Sequence, residues 1–517
     1  MPAPLTRIRP VGIVADLPPS NVGPESWTGG VNVNFRNGFT TRSLGWENIF
    51  PVIPGVPKPH FLINVTQAGV TNYWIACCES TVWVTDTTSW FDITPAGFVG
   101  NTRPEDWSGE LLNGLPILNN QLNPPFYWDL DTGNPCQYLP GWPADTLCNY
   151  IAVSKYHVFA LGIKDPSGDF PDQLFWSDAA APGSVPAGWA PSATGDAGDV
   201  ILGDSRSPIL CAKQLRGDLM VFKSNSVYKF RYVGGTFVWA NTKLLSNSGA
   251  LSSKAAVEIP DGRMVFLSDG DIMLTDGQNV QSLIDMRWKN TLFKIINGDA
   301  YRTSWACVDQ ANSEVIFGVP AYSQEYPTYG LTWNYKNNAI GVRPLGRFSH
   351  MAAGIVTVAA ASNTWESQTQ TWADSDFPWS QSLYNAADDG LIACSPLRSR
   401  LSFIDSGTLG DGLPIASSVA KYYMDFGEPK TLKFIRRIWP RVTDYDDSVP
   451  WFIRVGSSDS IQEAINWQPF TEWYPAQRRA FDCFVNGRYI SFEIQTNDGG
   501  QWTLAEVDFE MQAGGQW

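Results

Sequence analysis

A strand-turn-strand unit recurs along the middle of this 517-residue chain, and its spacing narrows the architectures open to it. The clearest copies pair residues 73–76 with 82–85, 115–118 with 126–128, and 156–162 with 174–177. Residues 218–223 with 227–232, 263–267 with 272–275, and 314–319 with 331–335 continue the series. First strands follow one another at intervals of 42, 41, 62, 45 and 51 residues, and a seventh candidate begins near Ile355. Four-stranded propeller blades recur every ~40 to 50 residues, whereas sandwich turns come every ~8 to 12 residues without a longer period. The expected fold is all-β: a β-propeller of six or seven blades over residues 51–404.

The local pattern agrees with that period. In Val227-Tyr228-Lys229-Phe230-Arg231-Tyr232 the side chains alternate in the way of a half-buried strand, while Met264-Val265-Phe266-Leu267 is a continuous apolar run, as expected where both faces are covered. Gly (45) and Pro (36) are abundant and charged residues are only 17%, which favours turns over long charged helices. Twenty-three Trp supply enough ring area to offset the ordering entropy of the chain, which excludes intrinsic disorder.

Two end regions differ from the middle. Residues 1–50 read as an extended Pro-rich arm followed by a hairpin turning at Asn37-Gly38. Such a hairpin either reaches a neighbouring subunit or forms the first strand pair of the main domain. Residues 405–517 hold alternating strands at 416–426, 432–442, 451–455, 489–496 and 502–511, the pattern of a compact antiparallel sandwich. Long loop insertions are expected at 165–199, 321–330 and 363–385. One helix is expected over 285–297, capped by Asp285 and ended by Asn297-Gly298.

No reactive constellation emerges. The eight cysteines form no CxxC pair and read as buried thiols of a reducing compartment, with adjacent Cys77 and Cys78 pointing to opposite strand faces. His60, His157 and His350 stand apart from one another, and no phosphate-cradling glycine loop, HExxH or GxSxG occurs. Asp269, Asp271 and Asp276, and the trio Asp444, Asp446 and Asp447, lie at turns that select Asp for backbone reasons. Thr496 to Trp502 is one residue short of an Asp-box and occurs once. The expectation is a non-enzyme with no cofactor and no metal. A net charge of −15 argues against a dedicated nucleic-acid grip, though not against a channel that DNA passes through. The start of the chain shows no apolar signal segment and no stretch long enough to span a bilayer, so synthesis in the cytosol without a membrane anchor is expected.

Certain motifs resemble one known family, the tail nozzle or packaged-DNA stabilisation proteins of short-tailed bacteriophages. They are Pro18-Pro19, Trp27, Asn32-Val33-Asn34-Phe35-Arg36-Asn37-Gly38 and Gly45-Trp46 near the start. The centre offers Ser226 to Phe230, Gly249-Ala250 and Phe266 to Ile272, and the end offers Ile435 to Val442 and Gly487 to Phe492.

The resemblance implies a structural virion protein, assembled in the host cytoplasm. It forms a homohexameric ring below the head-to-tail adaptor, retains packaged DNA and opens for genome ejection. Its implied partners are further copies of itself, the adaptor, tail fibres or tailspikes, and a tail needle or plug, with DNA passing through unbound. Six copies would carry six times the −15 of one, and a lumen lined by part of that charge would repel phosphates. Residues Trp27, Asn32, Phe35, Arg36, Arg437, Trp439 and Arg441 are expected at the adaptor or neighbour-subunit interface. Trp372, Phe377, Trp379, Tyr326 and Tyr329 are expected on tip or fibre-facing loops. A carbohydrate-binding or glycan-cleaving propeller of a tail or secreted protein is the alternative reading.

Overall fold

The computed structural model describes residues 5–67, 71–192, 195–235, 237–356 and 389–516. Among these, antiparallel four-stranded units follow one another, spanning 59–92, 108–138, 147–201, 209–246, 256–282, 305–344 and 350–404, the last completed by Trp46–Glu47; all are separate sheets except the sixth, 305–344, which begins a ten-stranded sheet. The first strand of each sheet neighbours the first strand of the next, and that of the seventh neighbours that of the first, so the sheets close a propeller-like ring.

The recurring sequence unit corresponds to the second and third strands of each sheet. In the first sheet these are Thr71–Cys78 and Val82–Thr85, and in the fourth Asp218–Lys223 and Ser226–Tyr232. Such strands are paired on both edges and covered on both faces, so their apolar pattern is strong. The seventh unit differs in phase. Ile355 ends its first strand, His350–Ile355, and the second strand is Asp389–Cys394. Cys77 and Cys78 are both buried and pack into separate cores on opposite faces of their sheet, and all eight thiols are free and buried.

Residues 5–47 do not form a separate arm. Trp46–Glu47 pairs with Leu401–Ile404 in the register Phe403↔Glu47 and Ile404↔Trp46, supplying the seventh sheet with its outer strand and joining the two ends of the ring. The Trp46 indole N–H donates to Asp411 (2.8 Å), and its ring meets Phe348 edge-on at 5.4 Å. Gly45 is needed just before this strand, because a Cβ there would lie 1.8 Å from the Leu409 carbonyl oxygen.

The C-terminal layers form a sandwich that the N-terminal residues complete. One sheet runs Gly29–Val31, Ser417–Met424, Tyr489–Thr496, Trp451–Ser458 and Asn466–Trp467. The other holds Trp502–Gln516, Thr431–Tyr445 and Phe481–Gly487, with Leu5–Ile8 alongside. The hairpin of Val33–Arg36 and Phe39–Arg42 splices this second sheet to Ile340–Pro344 of the sixth ring sheet.

Two further expectations change. Residues 165–199 are not a bare insertion, since they hold Gly168–Trp176 and the start of Gly198–Ile201, two strands of the third sheet. The helix is Lys289–Ile295, shorter than 285–297, and Asp285 does not cap it. The Asp16 carboxylate accepts from the backbone N–H groups of Asn290 (2.7 Å) and Thr291 (2.9 Å) instead. That cap arrives from the N-terminal segment, so no local sequence pattern at 285 announces it.

Candidate docking face

The residues expected at an interface separate into an interior group and an exposed group. Trp27 is fully buried, donates its indole N–H to Thr40 Oγ1 (3.1 Å) and packs edge-on against Phe492. Phe35 is buried as well. Neither side chain is available to a neighbour, because the strands beside them cover the sandwich core. Asn32 adopts φ +56° and donates to the Ala416 carbonyl (2.6 Å), fixing the hairpin to the neighbouring sheet.

Arg36 also turns inward. It forks onto Glu314 (3.1 and 2.8 Å) and reaches Asp405 (2.7 Å), which also accepts from the buried Arg343 (2.9 Å). Burial by itself would raise Asp405, but Arg343 and Arg36 outweigh it and bring the carboxyl down to about 2. For Glu314 burial wins over Arg36, and its carboxyl is raised. The group ties the N-terminal hairpin to the sixth and seventh ring sheets.

Arg437, Trp439 and Arg441 are brought together on the outer face of the sandwich. Their strand alternates inward Ile435 and Ile438 with outward residues, and an irregularity between Ile435 and Arg437 leaves both Arg436 and Arg437 exposed. Arg441 donates to Asp508 (2.8 Å) and lies 3.1 Å from Glu506. Arg7 reaches the same Asp508 (2.7 Å), and Arg9 reaches Glu506 (2.6 Å). Three guanidinium groups, each about half exposed or more, thus surround two nearly buried carboxylates. Burial would raise Asp508, yet the hydrogen bonds from Arg7 and Arg441 hold it below the ordinary carboxylate range. Arg437 pairs with Asp482 (2.7 Å), Arg436 lies over the Phe434 ring (5.5 Å), and Phe484 is 69% exposed on the adjacent strand. Arginine and aromatic side chains exposed together are the composition of protein-binding surfaces. Arg7, Arg9 and Phe484 escaped sequence reasoning. Arg7 and Arg9 enter the face only because Leu5–Ile8 pairs with the last strand.

The ring axis is occupied by side chains. Lys213 of the fourth sheet pairs with Glu110 of the second. Lys254, just before the fifth sheet, donates to the Pro104 carbonyl (2.7 Å) and lies 5.3 Å from the centre of the Phe61 ring. Burial pulls Lys254 down to about 8. Ser253 donates to the Glu105 carbonyl (2.6 Å). These bridges cross the centre of the ring.

Tyr326 and Tyr329 are half-buried and not free tips. Burial, with Glu325 and Glu105 nearby, raises Tyr326 to about 12. Tyr329 opens the strand Tyr329–Asn334. Trp372, Phe377 and Trp379 lie outside the described residues. A cleft of 480 Å³ is lined by Trp46, Thr328, Arg347, Arg398, Asp411 and Leu413, among others. Among the described residues no group of three or more His, Cys, Asp or Glu is arranged to hold a metal. Asp446 instead holds the turn at Ser448, and Asp271 binds Ser282 and Lys289. Likewise, no helix is long and apolar enough to cross a membrane.

No protein-family model matches this chain. No curated protein matches it either. Among solved structures, PorZ, an essential bacterial surface component of the type-IX secretion system of Porphyromonas gingivalis, aligns with 74% of this chain and 43% of its own at 9% identity, with TM-score 0.39. The extracellular domain of the hybrid two component system BT4673 from B. thetaiotaomicron aligns with 60% of this chain and 41% of its own at 11% identity, with TM-score 0.26. BBS1N in complex with ARL6DN aligns with 70% of this chain and 96% of its own at 12% identity, with TM-score 0.37. The chain spans less than half the length of the first two, and at these scores the likenesses carry no argument about its role.

Proposed function

We propose that this chain is a non-enzymatic structural protein of a short-tailed phage tail, a seven-bladed propeller carrying a sandwich platform, which assembles as a ring around the exit path of the genome. The observation that carries the reading is the convergence of the resembling segments from both ends of the chain. The hairpin of residues 33–42 pairs with Trp502–Gln516, and that strand pairs with Thr431–Tyr445, which bears Arg437, Trp439 and Arg441. The outcome is one rigid platform with an arginine and aromatic face suited to a protein partner, which in this reading is the head-to-tail adaptor. A closed ring of sheets leaves only short edges and makes a stiff block, as a part under pressure from packaged DNA requires. The filled axis agrees with a DNA path between copies.

Negative-stain electron microscopy of the purified chain, alone and mixed with tail-less capsids, tests the reading. Rings, and added density below the portal vertex, are the expected result. A uniform monomer that never touches the vertex would overturn it and favour a sugar-binding propeller.

A further inference from the structure

The charge of this chain is partitioned in a way the total conceals. Residues 79–204, which include the last two strands of the first sheet and all of the second and third, hold 16 Asp and Glu against 3 Lys and Arg. Residues 205–246, the fourth sheet and its lead-in, hold 7 Lys and Arg against a single Asp. A net −13 sector therefore adjoins a net +6 sector, in which Lys223 is buried and Lys213 is held by Glu110 at the ring axis, while Arg206, Arg216, Lys229, Arg231 and Lys243 reach the surface. None of the 16 acids is fully buried, and among the described residues only Glu110 and Asp204 of them form ion pairs.

The basic sector also carries the longest open strand edge of the ring. Other outer strands are short, such as Trp90–Asp92, Gln137–Tyr138 and Gly198–Ile201. The outer strand of the sixth sheet, Ile340–Pro344, is continued by Val33–Arg36. Trp239–Ser246 of the fourth sheet runs for 8 residues, ends its sheet and is exposed from Ala240 to Lys243. Natural edges are blunted by brevity, proline or inward charge. This edge has no proline, and its one lysine, Lys243, is engaged by Asp204 (2.6 Å). The hairpin leading to it exposes Tyr232, Val233 and Phe237, the last by 80%.

We propose that the Trp239–Ser246 edge is an assembly surface for a second copy of this chain, which presents its acidic sector to it. This deepens the reading of the chain as a ring protein and rests on it. The acidic sector brings Asp92 and Asp199 on its own outer strands, within the same copy that offers a basic edge to the next. Because the two surfaces are different patches, the contact is head-to-tail, so copies close a ring or grow a filament instead of stopping at a two-fold dimer. Opposite charge speeds encounter and fixes register, the open edge supplies backbone hydrogen bonds, and Phe237 supplies apolar burial.

The test is light scattering after size-exclusion chromatography of the full chain at about 0.05 M and about 0.5 M salt. The expected result is an assembly of three or more copies that loosens in high salt. Arg231→Glu/Lys243→Glu should weaken association by about tenfold or more, as should Phe237→Ser, which alters an exposed side chain and so keeps the fold. Lys58→Glu/Lys336→Glu, with the same charge change elsewhere, should associate like the wild type. Mixing the reversed-edge variant with Asp92→Lys/Asp199→Lys should restore association. Assemblies unaffected by edge reversal and by Phe237→Ser would overturn this surface while leaving the ring reading standing. A wild-type chain that stays monomeric in both salts would overturn both.

Discussion

The Nδ1 atom of His350 accepts a hydrogen bond from the backbone N–H of Leu62 at 3.2 Å, linking the first strand of the seventh ring sheet to that of the first. The Phe61 ring stacks on the same imidazole at 4.4 Å. The hydrogen bond requires Nδ1 free to accept, and burial, with Lys254 and Lys213 nearby, lowers His350 well below its ordinary value.

Acid should therefore loosen the ring at this seam. His60 is lowered to about 4, by burial first and then by Lys254 and Lys58. An unfolded histidine titrates near 6.5. Between about 4 and about 6.5 the unfolded state binds more protons, so stability rises with pH across this window and falls on acidification. His60 alone contributes on the order of 3 kcal/mol to that fall, and His350 acts in the same direction. Urea midpoints measured from pH 7 down to pH 4.5 should drop, and the drop should shrink in His60→Asn/His350→Gln. An unchanged slope in that variant would remove the histidines as the cause.

Breaking the closure should cost more than its two-residue length suggests. Trp46→Ala removes the Asp411 hydrogen bond and the Phe348 contact, and Gly45→Ala forces the chain against the Leu409 carbonyl. Loss of a large buried aromatic costs about 3 to 5 kcal/mol. Calorimetry should show a lowered Tm for each, and hydrogen exchange should show loosening concentrated in the seventh sheet.

Arg36→Met should destabilise by about 3 to 5 kcal/mol, because it leaves the buried Glu314 and Asp405 short of a cation. Arg36→Lys should recover only part, since an ammonium cannot fork onto Glu314. Arg36→Met/Glu314→Met should be more stable than Arg36→Met alone. Chemical denaturation checks the order, and equal losses in all three would sink the argument.

Trp439→Ala/Arg441→Glu should leave the fold intact and abolish attachment to tail-less capsids. These side chains sit on the outer face, with Arg441 about half exposed. Arg441 also pairs with the nearly buried Asp508, so some loss of stability is expected, and a urea midpoint measured on the variant checks that it remains folded. Wild-type attachment by this variant, measured by co-sedimentation, would move the docking face elsewhere.

The eight thiols should stay silent toward a thiol reagent until the chain unfolds. All are buried, and burial pushes Cys394 up to about 11 and Cys211 to about 12, away from the reactive thiolate. Fast labelling of the native chain would contradict the packing described for these strands.

The sequence by itself determined the repeated middle of each sheet and the opposite facing of Cys77 and Cys78. Those features are local: a period-two pattern and an apolar run record whether each side of a strand is covered. Tertiary structure alone decided the outer strands and the destination of residues 5–47. An outer strand as short as Gln137–Tyr138 is too brief to carry a pattern, and the pairing of Trp46 with Ile404 closes a loop of more than 350 residues. Chain entropy opposes such a closure until the rest of the ring has formed, so nothing near Trp46 reveals its partner. The same reason placed Trp27 and Phe35 in the core. Their partners come from strands near the other end of the chain, and only the assembled sandwich brings those strands over them.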